Sequence, residues 1–118
     1  MSSPSPVARL WRGITRADAA AAYMEHLRSA TFPSLRQIPG YRGAWLMRRA
    51  VPQGVEFLVV TLWDSMEAVE RFAGPAPEAA VVPPAARALM VEYDERAQHF
   101  ELIGEPVGAA DGGRDPSS

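Results

Sequence analysis

The run at residues 55–65, VEFLVVTLWDS, is the longest apolar stretch of the chain and restricts what it can fold into. Extended, it puts Val55, Phe57, Val59, Thr61 and Trp63 on one side and Leu58, Val60 and Leu62 on the other, so neither side is mostly polar. Such a strand needs cover on both faces, whereas a small antiparallel domain normally leaves one face of its sheet wet. Helices are expected on one side and a surface from outside the monomer on the other, a second copy being the simplest source. The run closes in Trp63-Asp64-Ser65, where Asp64 or Ser65 is placed to cap a following helix. Glu67 stands at capping-box distance from Asp64.

With 118 residues the chain has room for one core and one site. Twelve basic and fourteen acidic side chains leave a formal charge of -2, which gives no pull toward nucleic acid or an anionic membrane. A small or neutral partner is the natural expectation. The absence of cysteine removes disulfide scaffolds, thiolate nucleophiles, iron-sulfur clusters and cysteine-ligated zinc together. The opening MSSPSP lacks a basic region followed by an apolar core, and no window approaches the roughly 18 apolar residues of a membrane span. A cytoplasmic location without membrane attachment is the default reading.

Residues 1–6 are Ser- and Pro-rich and residues 104–118 are Gly-rich and polar, so both are expected to be disordered tails around a folded part at 7–103. Residues 7–13, VARLWRG, suit a first strand that stops at Gly. Thr15 is then an N-cap candidate, and the three-four spacing of Ala20, Tyr23, Met24, Leu27 and Ala30 predicts a helix over residues 17–30. A further helical turn is expected at 34–37, closed by Pro39-Gly40. A second strand over residues 41–51 would place Tyr41, Gly43, Trp45 and Met47 on one face, and Pro52-Gln53-Gly54 would turn it into the apolar third strand. Residues 66–73 read as a helix with Val69 and Phe72 inward, ended by Gly74. A Pro-rich segment follows at 75–84, then a short helix at 85–90 and a final strand at 92–103.

Strand, helix, strand, strand, helix, strand is the split βαβ order of an α+β, ferredoxin-like fold with an antiparallel sheet. In it the first strand lies between the third and the last, and right-handed crossovers put both helices on one face. The other face is left to meet its copy in a homodimer.

The stretch LVVTLWDSMEAVERFAG, the preceding PGYRGAWLMRR and the closing AQHFELI together resemble antibiotic biosynthesis monooxygenase domains, over about residues 7–103. The resemblance implies a dimeric α+β barrel. It also implies an activity drawn from cofactor-free oxygenation of polyphenolic polyketides such as anthrones, quinol oxidation, or haem degradation. Haem-degrading relatives carry a strand-end tryptophan, matched by Trp63, together with a histidine ligand on the segment after it and an asparagine in the first strand. Here the corresponding segments read PEAAVVPPAA and VARLWRG, with neither, so haem degradation is not expected. No haem, flavin, nucleotide or metal signature appears elsewhere.

Cofactor-free oxygenation of an aromatic substrate by molecular oxygen needs a base, donors for the resulting oxyanion, and aromatic walls that exclude water. Of the two histidines, His99 is the base candidate and Trp63 the aromatic wall, since the topology brings both toward one sheet edge, two strand spacings or roughly 10 Å apart. Tyr23, His26, Arg9 and Phe72 are the substrate-binding candidates, Arg9 as an oxyanion donor or carboxylate partner. Each has a structural alternative: a backbone-bonded strand histidine for His99, a core aromatic for Trp63, a helix-edge residue for His26, a solvated or paired surface charge for Arg9. Trp11 and Trp45 suit dimer-interface packing at least as well as ligand walls. The competing function is a dimeric binder of a hydrophobic ligand, or a cyclase-like isomerase, using the same pocket without oxygen.

Overall fold

The computed structural model describes residues 5–104 and 107–108. Of the expected tails, residues 1–4, 105–106 and 109–118 lie outside the described residues. The fold is α+β and ferredoxin-like. Strands β1 (Val7–Thr15), β2 (Tyr41–Val51), β3 (Gly54–Trp63), β4 (Met90–Tyr93) and β5 (Gln98–Glu101) form one antiparallel sheet in the order β2-β3-β1-β4, with β5 also paired to β1. The first strand is therefore central, as the element order requires. Its register sets Val7 opposite Trp63, Arg9 opposite Thr61 and Trp11 opposite Val59, while on its other edge Arg9 faces His99.

Several local expectations are corrected. The first strand runs two residues past Gly13, so Thr15 ends β1 instead of capping a helix; its hydroxyl donates to the Arg16 carbonyl at 2.8 Å. The helical path then runs without a break through a 3-10 turn (Ala17–Ala19), α1 (Ala20–His26), a π segment (Leu27–Thr31) and α2 (Phe32–Leu35). Pro33 explains the π segment. Proline has no N–H to give and its ring collides with a carbonyl four residues back, and a wider turn relieves both. The Phe32 N–H accordingly bonds to the Leu27 carbonyl, five residues back.

In β2 a bulge between Tyr41 and Gly43 flips the alternation. Tyr41 stays opposite Trp63 on the helix side, whereas Trp45 and Met47 pair with Val60 and Leu58 on the open side. The expected last strand is two strands, β4 and β5, with residues 94–97 between them. Helix α3 (Met66–Ala73) has the expected bounds, but its cap is Ser65, whose Oγ accepts from the Ala68 N–H at 3.3 Å, so Asp64 and Glu67 form no capping box. The short last helix, α4, is Pro84–Arg87.

The helices cover one sheet face, and their core is divided. One cluster joins Val7, Leu35, Trp63, Ala68 and Val69; the other joins Ala20, Tyr23, Leu27, Phe57 and Ala86; Phe32 packs against both. On the open face Trp45, Met47 and Phe100 remain 66%, 48% and 55% exposed, beside half-buried Leu10, Leu58 and Val60. At one end of that face Arg12 bridges Glu56, Glu92 and Asp94, and Arg49 also binds Glu56. The two guanidinium hydrogen bonds hold the Glu56 carboxyl below the usual range.

Candidate functional site

Between the two core clusters lies a cavity of about 380 Å³, within the range of small-molecule sites. The sheet supplies Arg9, Trp11, Val59 and Thr61; the long helical path supplies Tyr23, His26, Leu27, Ala30, Thr31, Ser34 and Leu35. Ile38 and Phe72 close one end, and Val81, Val82, Pro83 and Ala86 of the Pro-rich segment and α4 form the outer wall.

Arg9 is the one charged residue among the arginines, lysines and carboxylates that lines the wall. As a central-strand residue on the covered face it is only 4% exposed. Its guanidinium donates to the carbonyls of Pro77 and of Ala79 (3.0 Å), lies 3.0 Å from His99 Nε2, and stands over the Phe72 ring at 5.4 Å. Among the described residues it has no salt-bridge partner. Burial without a counter-charge pulls its pKa below the ordinary arginine value.

His99 stands behind Arg9 and is not part of the cavity wall. Burial first, and then the Arg9 charge, hold its pKa below 6.5, against a weaker opposing pull from exposed Glu78. Neutral, its Nε2 accepts from Arg9, with the ring proton on Nδ1. Trp63 is also off the wall: fully buried, it donates from Nε1 to Thr61 Oγ1 at 2.8 Å, stacks on Phe72 at 5.7 Å and meets Tyr41 edge-on. Phe72 thus lies between Trp63 and Arg9. The structure brings Arg9, Tyr23, His26 and Phe72 together on one cavity and sets His99 and Trp63 one residue behind it.

Tyr23 is 3% exposed and packs edge-on against Phe57 at 4.9 Å, and burial pushes its phenol pKa up, so it is a neutral hydroxyl. Among the described residues His26 Nε2 is buried with no hydrogen-bond partner, which leaves it open to a hydrogen bond with a ligand. Thr61 is a wall residue that the sequence marks only as the one hydroxyl within β3, two residues before Trp63 and so on its face. Trp11 is a cavity wall, pinned by donation from Nε1 to the Asp94 carbonyl at 2.7 Å. Trp45 lies on the open face.

The sequence matches the family of antibiotic biosynthesis monooxygenases over residues 11–76, more than half its length. The chain belongs to that family. No curated protein matches it significantly. Among solved structures it is similar to a monooxygenase from the ActVA-Orf6 gene of Streptomyces coelicolor in complex with nanaomycin D, at 18% identity and TM-score 0.60, covering 90% of this chain and 94% of that one. The cofactor-independent oxygenase SnoaB from Streptomyces nogalater aligns at 17% identity and TM-score 0.56, covering 89% and 98%. A haem-degrading protein from Mycobacterium tuberculosis aligns at 21% identity and TM-score 0.56, covering 89% and 99%. At these identities the likeness establishes the fold.

Haem fits these residues poorly. Between Trp63 and His99 there is no histidine, His99 Nε2 is engaged by a guanidinium, and the Trp63 N–H is committed to Thr61 inside the core. Among the described residues no three of His, Asp and Glu are grouped to hold a metal ion, and no helix is long and apolar enough to cross a membrane.

Proposed function

We propose that this family member is a cofactor-independent monooxygenase that oxidises an electron-rich aromatic substrate of the phenol or anthrone type with molecular oxygen. The observation that supports it most is a mostly apolar cavity whose wall carries one cation, Arg9, and one unpartnered imidazole, His26. His26 takes the proton from the substrate's activated carbon or hydroxyl. The oxyanion that develops is stabilised by the Tyr23 and Thr61 hydroxyls and by the nearby charge of Arg9, in surroundings that exclude water and so strengthen each interaction. The carbanion transfers one electron to oxygen, and recombination gives a peroxide at that carbon. Protonation and loss of water then leave a ketone, with one oxygen atom in the product and the other in water. His99 enters as the residue that holds Arg9, and Trp63 as the one that holds Thr61 and Phe72.

The open sheet face pairs with a second copy in this reading. A face carrying Trp45, Met47, Phe100, Leu10, Leu58 and Val60 is what an obligate interface of upward of about 2,000 Å² requires. Oxygen uptake with anthrone or a hydroquinone, on protein stripped of metal with a chelator, tests the activity. Uptake above the buffer rate that falls about 10² to 10⁴-fold in His26→Phe is expected. Tight binding of the aromatic with no uptake would instead make the chain a ligand binder or isomerase.

A further inference from the structure

Arg9 presents an electrostatic problem that the fold leaves unsolved. A guanidinium has five N–H donors, and three acceptors meet it here: the Pro77 and Ala79 carbonyls and His99 Nε2. All three are uncharged. Glu78, the carboxylate carried between those two carbonyls, is exposed and makes no salt bridge among the described residues. Among the described residues no acidic side chain lines the cavity. Two donors are therefore left without an acceptor among the described residues, on a guanidinium that borders a space walled mainly by aromatic and aliphatic groups. A buried charge is tolerated when something of opposite sign reaches it, and the cavity is where that something can come from.

Resting on the cavity's being the functional site, we propose that its ligand is an aromatic carboxylic acid, bound with the carboxylate on the free donors of Arg9 and the ring body among Trp11, Leu27, Leu35, Val59 and Phe72. A carboxylate matches the planar donor fork and arrives ionised at neutral pH. His99 and the two carbonyls fix the fork's orientation. Phe72 underlies the guanidinium and also borders the apolar space, so charge recognition and ring recognition share one wall. The selectivity lies in the acid: a neutral analogue of the same shape leaves Arg9 desolvated and uncompensated.

Calorimetric titration of the full chain with 2-naphthoate, 2-naphthamide and 2-naphthol tests this without turnover. The expected result is naphthoate binding at least about tenfold tighter than naphthamide, the usual advantage of a charge-assisted pair. The preference should survive 0.5 M salt, since a buried pair is little screened. It should vanish in Arg9→Met, which keeps an apolar stem, and persist in weakened form in Arg9→Lys. Arg28→Met, on the exposed side of the helical path, should keep it in full. Equal affinity of acid and amide overturns the proposal, as does a preference retained in Arg9→Met. Tightest binding by 2-naphthol, with the absorption of its anion, would assign the charge to a phenolate and overturn the carboxylate. Should Arg9→Met fail to fold, the acid-amide comparison and its salt dependence on the unaltered protein decide. Acid preference without oxygen uptake sinks the oxygenase reading alone, and no binding by any probe sinks both.

Discussion

The Thr61–Trp63 pair gives the sharpest test of how the cavity wall is held. Trp63 is fully buried and its indole N–H donates to Thr61 Oγ1 at 2.8 Å. Thr61→Val keeps the shape of the side chain and removes the acceptor, stranding a buried donor at a cost of about 1–3 kcal/mol. For a domain of this size that lowers Tm by about 4–8 °C per kcal/mol. Thr61→Ser keeps the acceptor and loses one methyl, worth about 0.8 kcal/mol. In a Trp63→Phe background there is no N–H to strand, so Thr61→Val there should cost less by most of that 1–3 kcal/mol. The difference is the coupling that a double-mutant cycle reports. Urea unfolding of the four proteins at one fixed concentration measures it, because a dimer's stability depends on concentration. The reasoning fails if Thr61→Val costs the same in both backgrounds, or if Thr61→Ser is as damaging as Thr61→Val.

Three further outcomes are expected. Trp45→Glu, which sets a charge in the middle of the exposed apolar face, should convert the protein to monomer in light scattering, and an unchanged mass would remove that face as the interface. His99 has a lowered folded pKa, so the unfolded chain binds its proton first on acidification: its contribution is complete above about pH 6.5 and is lost as pH falls through the folded value. Urea midpoints should therefore drop on that limb, and His99→Gln, which still offers Arg9 an acceptor, should flatten it. Gly13→Ala would set a Cβ 2.5 Å from Trp11 Cη2 and 3.0 Å from Met90 Sδ; overpacking of about 1–3 kcal/mol and weaker ligand binding are expected, with an unaltered midpoint counting against Trp11 as a fixed wall.

The strands, the helix over residues 66–73 and the central place of β1 were legible because they rest on apolar periodicity and on a connection rule that admits few topologies. Two of the misreadings come from a single residue that interrupts a regular element. The bulge beside Arg42 adds one residue to β2 and sends Trp45 and Met47 to the face opposite Tyr41. Pro33 falls in the gap expected between the helix over residues 17–30 and the turn at 34–37, yet the π segment admits it and carries the helical path on to Leu35. Both devices depend on tertiary packing that local spacing does not encode.

The site shows the same division between what pattern carries and what it does not. Tyr23 and Phe72 follow from helix faces turned to the sheet, whereas His26, three residues after Tyr23, reads equally as a helix-edge residue. Arg9 was weighed as a surface charge, since strand arginines usually are, but the predicted order already contained its burial. A residue on a central strand, alternating with Val7 and Trp11, points to the covered face and has neighbours on both sides, so its charge has no lateral route to water. His99 illustrates the converse. Neither its face nor its partner was legible, because pairing β5 with β1 at the register that sets residue 99 against residue 9 depends on where β4 stops. Once that register is fixed, a lone imidazole beside a buried guanidinium can serve it only as a neutral acceptor. That leaves the ligand to supply the negative charge that no residue of the wall provides.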